Sequence, residues 1–342
     1  MNNGSCLLRI GVCILCVCVL LIGAGLSLAE SLYHIEDGFL AGSIVIDEVE
    51  FKLDALFDDS MALPHRYVQI VPPPIKAADI QSQIDMFFEI DDDFKLDETR
   101  AGWFIFCSTK GRYIHDEAAG KSYHMYTPTI EDKTLRDAVQ KCKSFLDSLG
   151  VHYYPIPTFV AYGDIQENDG WGKWVSTTIA GDKPMDYVIR FANVVDGMAV
   201  SPFDVGNKGS MSGFNPERVM TDNPYTEFYF HEDGALGSLF LHTFEVTGES
   251  LIEEPILTWQ ESLTKWLFEY KEDENISHHL NSGDIYIIRI QAVWLTSYKN
   301  VLRPGWFIEM QIRDRETGIP VVNESGITSY IMTGIDALTG ET

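Results

Sequence analysis

The sequence predicts an α+β chain of tandem modules, each a helix packed on an antiparallel sheet. Three observations predict it. Three segments carry apolar residues at helical spacing, the stretches between them alternate with a period of two, and the order helix-then-strands occurs twice in the later chain.

The first helix is expected over residues 77–88, where Ile80, Ile84 and Phe87 form one stripe, ending before the acidic run Asp91-Asp92-Asp93. The second, 134–149, is the clearest. Thr134 and Asp137 resemble a capping box, and Leu135, Ala138, Val139, Cys142, Leu146 and Leu149 recur on one face. Gly150 stands where a C-terminal glycine cap belongs. The third covers 259–270, opened by a capping box of Thr258 and Glu261, with Trp259, Leu263, Trp266, Leu267 and Tyr270 on the buried side. Each stripe reads as core.

Between the helices, strands are expected over residues 44–51, 187–195, 225–231, 239–244, 285–296, 306–312 and 330–335. Asp196-Gly197 and Glu232-Asp233-Gly234 supply turns. The resulting division is 1–29 as a leader, 30–130 as an N-terminal α+β region, and 131–250 and 251–342 as two modules of related build.

The leader sets the compartment. Arg9 precedes an apolar run over 10–28, and Ser27-Leu28-Ala29 places small residues where a signal peptidase reads, so cleavage is expected before Glu30. The run is also long enough to cross a hydrocarbon core of roughly 30 Å as an uncleaved anchor. Both readings place the remainder outside the cytoplasm, secreted or attached to the outer face of the membrane. Cys6, Cys13, Cys16 and Cys18 lie in this segment without the small residues that lipidation requires ahead of a cysteine.

The composition, 45% hydrophobic and 12% aromatic, is that of a globular protein. Its charge stands apart: 51 acidic residues against 25 basic give a formal net charge of −26. Such a surface repels nucleic acid and anionic lipid and favours cations or basic partners. Cys107 and Cys142 remain beyond the leader, either as one disulfide, contributing about 3 to 4 kcal/mol, or as two buried thiols.

Several segments resemble a known group. They are Ile288-Arg289-Ile290-Gln291-Ala292-Val293-Trp294-Leu295, Leu302-Arg303-Pro304-Gly305-Trp306-Phe307-Ile308 and the closing Ile335-Asp336-Ala337-Leu338-Thr339-Gly340-Glu341. Tyr187-Val188-Ile189-Arg190-Phe191 and Val195-Asp196-Gly197-Met198-Ala199-Val200 add to them. Together they resemble exported proteins of unknown function from Gram-positive gut bacteria, closely over 185–342 and in outline before that. Their modules are similar to PepSY-like (cystatin-like) domains and to the extracytoplasmic regulators YycH and YycI, which restrain a membrane sensor kinase. The resemblance implies structural motifs and carries over no active-site residue.

Catalytic patterns are fragmentary. Ser262-Leu263-Thr264-Lys265 has S-x-x-K spacing and Thr221-Asp222-Asn223 echoes a second penicillin-recognising motif, but the order is reversed and no third element follows. Gly209-Ser210-Met211-Ser212-Gly213 lacks the central serine of a nucleophile elbow. His278-His279 are adjacent, so on a strand they would point to opposite faces, and no H-E-x-x-H exists to bind zinc; His231 sits at a hairpin turn, and surface roles are expected for all three. The acidic runs 91–93 and 272–274 lack the spacing of a calcium loop. No cofactor or metal is therefore expected. Gly170-Trp171-Gly172-Lys173-Trp174 is the candidate binding segment, since Trp171 and Trp174 could stack on a sugar or anchor a partner, or else fold onto the core. The function expected is that of a non-enzymatic binding or regulatory protein at the envelope, with an envelope protein or cell-wall component as partner. The alternative is a hydrolase of cell-wall or dietary polymer.

Overall fold

A computed structural model describes residues 30–36, 39–57, 62–100, 102–109, 133–153, 159–162, 187–204, 225–231, 233–272, 276–296, 300–321 and 330–342. Strand dominates. The order is β1 (Glu30–Glu36), β2 (Phe39–Ile46), β3 (Val49–Phe57), β4 (Arg66–Val71), α1 (Ala77–Phe87), β5 (Lys95–Arg100), β6 (Trp103–Cys107), α2 (Lys133–Ser148), β7 (Phe159–Tyr162) and β8 (Tyr187–Ala192). It continues with β9 (Val194–Val195), β10 (Met198–Asp204), β11 (Tyr225–Phe230), β12 (Leu236–His242), β13 (Glu245–Leu251), α3 (Trp259–Tyr270), α4 (Ile276–Ser282), β14 (Asp284–Thr296), β15 (Val301–Arg313) and β16 (Tyr330–Asp336).

These strands form two sheets, and the sheets overturn the expected tandem α+β build. The small one has the order β5-β6-β12-β11-β8-β7. The large one runs β1-β2-β3-β14-β15-β4-β13, with β10 on β14, β9 on β10, and β16 on β15. The expected boundaries at 130/131 and 250/251 fail with it, because β6 pairs β12 and β3 pairs β14 across them. The physical reason is that alternation fixes which face of a strand is apolar but not which strand lies beside it. PepSY-like tandem modules are thus not the architecture. A mostly β protein with two large sheets is.

Helices cover one face of each sheet. On the small sheet, Ile80 and Ile84 of α1 and Ala138, Val139, Cys142, Phe145 and Leu146 of α2 share a core with Phe104, Phe106, Ile189, Phe191, Phe228, Leu239 and Leu241. Phe145 meets Phe88 and Phe228 edge-on at 5.4 and 5.7 Å. The end of α2 follows its sequence: Gly150 takes φ 68°, while the Gly150 and Val151 amides donate to Asp147 and Leu146. On the large sheet, Trp259, Leu263, Trp266 and Leu267 of α3 bury against Phe51, Phe57, Ile287, Ile290 and Ile308, each worth about 1.5–3 kcal/mol of transfer. The capping box of Thr258 and Glu261 forms.

Two local expectations change. The run 44–51 is not one strand but a hairpin, turning at Asp47 and Glu48 with φ 46° and 72°. Its residues carry no glycine to announce it. His279 lies on the short helix α4, with its Nδ1 within hydrogen-bond distance, 2.6 Å, of the Tyr270 hydroxyl.

The faces turned away from the helices complete the architecture. Along β11 and β12, residues on both faces are buried, as they are along most of β15. The central strands β11, β12 and β15 therefore have their second faces covered. Tyr225 of the small sheet stands within electrostatic reach of Arg289 and Glu309 of the large one, which places those faces toward each other. Among the described residues the chain crosses from the large sheet to the small one between β4 and β5, and from the small to the large at Asn193 and at residues 243–244.

Candidate functional site: a charged layer between the sheets

The layer follows from strand register, because residues directly opposite on neighbouring strands share a face. On the small sheet, Arg190 of β8 is opposite Glu227 of β11, which is opposite Phe240 of β12, which is opposite Ile105 of β6. Arg190 Nη2 lies 2.6 Å from Glu227 Oε1, and Glu227 is 3% exposed. On the large sheet Arg289 of β14 is opposite Glu309 of β15, with Nε and Oε2 3.4 Å apart. A bulge between Ile287 and Arg289 shifts the register, so that Arg289 points to this face and Ile290 to the core.

The two pairs bracket Tyr225. This residue keeps some exposed surface, yet burial around its hydroxyl pushes the pKa up to about 12. The Arg190 and Arg289 guanidiniums pull it down, and Glu227 and Glu309 push it further up. Arg190 also stands over the Tyr225 ring at 5.1 Å, and Arg289 over Phe307 at 5.9 Å. Glu309, 1% exposed, has its carboxyl raised by loss of water, partly opposed by Arg289.

His242 lies at the margin of this layer, opposite Trp103, whose ring it meets edge-on at 5.4 Å. Burial alone lowers its pKa to about 3, so it is neutral at physiological pH. Beyond the charges, Val293, Leu295 and Phe307 form an apolar patch. Arg303 then meets Asp336 at 2.9 Å, and the other oxygen of Asp336 accepts the Leu338 and Thr339 amides, fixing the final turn.

At the opposite, half-exposed end, Lys52 meets Asp284 at 2.6 Å and Arg313 meets Asp54 at 2.7 Å. Tyr286 lies beneath both cations, at 5.3 and 4.4 Å. The Asp284 hydrogen bond raises Lys52, and the same bond lowers Asp284. A separate contact joins His231, fully buried, to Asp91 at 3.1 Å. It ties the segment after α1 to the β11–β12 hairpin, where a surface role had been expected for His231.

Each ion pair of the charged layer joins neighbouring strands of one sheet, and both of its carboxylates, Glu227 and Glu309, are buried. Sequence candidates fall elsewhere. Trp171 and Trp174, like the leader, lie outside the described residues. Cys107 and Cys142 are buried thiols and form no disulfide; burial holds the Cys142 pKa well above its ordinary value. Ser262 is fully buried in α3, while Lys265 donates to the Thr339 carbonyl, so the S-x-x-K spacing assembles no nucleophile. Among the described residues no group of His, Cys, Asp and Glu side chains could hold a metal, and no helix is long and apolar enough to cross a membrane.

Sequence reasoning missed Arg190, Glu227, Arg289 and Glu309. The signal was available: each is a charge flanked on both sides by uncharged residues inside a strand, as in Tyr-Val-Ile-Arg-Phe-Ala of β8.

No family model matches the chain, and no curated protein does. Among solved structures it is similar to an uncharacterized protein from Eubacterium rectale ATCC 33656, at 12% identity and a TM-score of 0.48. The likeness covers 91% of this chain and 92% of that one.

Proposed function

We propose that the chain is a non-enzymatic binding or regulatory protein of the cell envelope, acting through its outer surface on a protein or cell-wall partner. One observation carries this reading. Among the described residues, the perturbed groups His242, Tyr225, Cys142 and Glu309 are drawn into cores or between the sheets, and Tyr153, the partly exposed one, is raised by burial and by its hydrogen bond to Asp147 just before the end of α2. Perturbed groups that serve chemistry stand in a cleft open to substrate. The leader supports the extracytoplasmic location, and the net charge of −26 favours a basic partner over nucleic acid. Trp171 and Trp174 remain the proposed aromatic contact.

The test is parallel capture and turnover. The purified chain and a Trp171→Ala, Trp174→Ala variant are presented to envelope extract, while wall glycans and peptides are assayed for products. A partner retained by the unaltered chain, without product formation, supports the reading. Product formation abolished by one substitution would replace it with the hydrolase alternative.

A further inference from the structure

β13 ends the large sheet. Its inner edge pairs with β4, and among the described residues no strand pairs with its outer edge. The strand is exposed along nearly its whole length, with only Gly248 partly covered. A row of backbone N–H and C=O groups on such an edge is a template for another strand.

Edges of this kind are ordinarily defended, and the far edge of the small sheet is. β5 carries Lys95 and Asp97, exposed charges of both signs, and its one apolar residue, Leu96, is half-buried. β13 reads Glu-Val-Thr-Gly-Glu-Ser-Leu. Val246 is 42% exposed and Leu251 83%, and these are two of the five large apolar side chains exposed among the described residues. Register puts both on the side of β4 that carries Val68 and Ile70, continuous with the core face. The strand thus offers an open backbone row, interrupted by a register shift between Val246 and Gly248, and two apolar contacts that the fold itself leaves uncovered.

Charge selects the occupant. Glu245, Glu249, Glu253 and Glu254 are all exposed within ten residues that contain no base. The one cation across from them, Arg66, is already engaged by Asp196 and Glu249. A second copy of this chain would bring its own four glutamates and its net charge of −26 to the same edge. We propose that β13 is a docking edge at which an extended segment of a partner protein, bearing lysine or arginine beside β-branched residues, adds as a further strand. Main-chain hydrogen bonds supply the affinity, and the glutamates and exposed apolar side chains select the segment. This deepens the binding reading above and rests on it.

The probe is an eight-residue peptide alternating lysine with valine and threonine. Its controls are the same peptide N-methylated at alternate backbone nitrogens, and one with glutamate in place of lysine. Binding is read by fluorescence anisotropy, and its location by amide hydrogen exchange of the purified chain. The lysine peptide is expected to bind and to slow exchange in 245–251, whereas both controls fail. Glu245→Lys, Glu253→Lys, Glu254→Lys together are expected to weaken binding at least tenfold with an unchanged melting temperature, since all three side chains are exposed. Equal binding by the N-methylated peptide, protection outside β13, or no effect of the triple variant would overturn the proposal. An envelope partner captured equally well by the triple variant would sink the docking edge and leave the binding function standing. Slowed exchange at β13 with no envelope partner captured by either chain would sink the functional reading and leave the edge standing.

Discussion

Replacing Arg289 by methionine tests the charged layer most sharply. The substitution keeps most of the side-chain volume and removes the guanidinium that lies 3.4 Å from Glu309. Glu309 is 1% exposed, and its carboxyl is already raised by burial, with Arg289 the opposing influence. Breaking a buried pair by removing one partner costs about 3–5 kcal/mol, while replacing both by apolar residues is close to neutral. Arg289→Met should therefore lose about 3–5 kcal/mol near pH 8, and Arg289→Met, Glu309→Leu should recover most of it. The pH dependence has a definite sign. A carboxyl raised in the folded state is ionised first in the unfolded chain, so its stability contribution falls as pH rises from its unfolded value through its folded one. Arg289→Met raises the folded value further, so its deficit relative to the unaltered chain should shrink toward pH 5. Urea unfolding of the four chains of the cycle at pH 5 and pH 8 reads both effects. An Arg289→Met loss that is the same with leucine at 309 as with glutamate would refute the coupling.

Three further outcomes follow from other parts of the fold. His242→Phe should make the chain less sensitive to acid. A histidine whose pKa is about 3 when folded contributes stability present above its unfolded value near 6.5 and lost below it, at up to about 1.4 kcal/mol per pH unit. Urea midpoints between pH 7 and pH 4 should then fall less steeply in the variant than in the parent. Glu48→Gly relieves a left-handed residue at φ 72° on an exposed turn and should stabilise by roughly 0.5–1 kcal/mol in chemical denaturation. Gly305→Ala should cost about 1–3 kcal/mol, because a Cβ there would lie 2.4 Å from Leu295 Cδ1 and 2.7 Å from the Ile335 carbonyl oxygen. An unchanged denaturation midpoint in Gly305→Ala would mean β14, β15 and β16 are less closely packed than described.

What the sequence made legible was local. The capping box of Thr258 and Glu261, the glycine cap at Gly150, and the Asp196-Gly197 turn with both φ values positive all depend on residues a few positions apart. The apolar stripes of α1, α2 and α3 were readable because helical spacing needs no partner. Strand pairing was not. Lys52 and Asp284 meet across 232 positions, and nothing in either segment specifies the other. Consecutive strands were therefore assigned to consecutive modules, and two interleaved sheets were missed. The Asp47-Glu48 turn was hidden because it adopts positive φ without glycine. Helix α4, seven residues long, is too short to show a period.

The charged layer was obscured by a different cause. Helical and strand periodicity treat a lone charge in an apolar strand as noise, whereas Glu227 and Glu309 are charges whose partners are supplied by neighbouring strands. His231 was assigned to the surface from its turn-like neighbours. The Asp91 that pairs with it lies 140 positions earlier.

The measurement that bears most directly on binding without turnover is mass-spectrometric analysis of wall glycans and peptides after incubation with the purified chain, paired with capture of envelope proteins by the same preparation. A partner enriched reproducibly, with every glycan and peptide recovered intact, is the predicted result. Cleavage products that disappear when one carboxylate is changed to its amide would contradict it, and would place a reactive group on the surface instead of between the sheets.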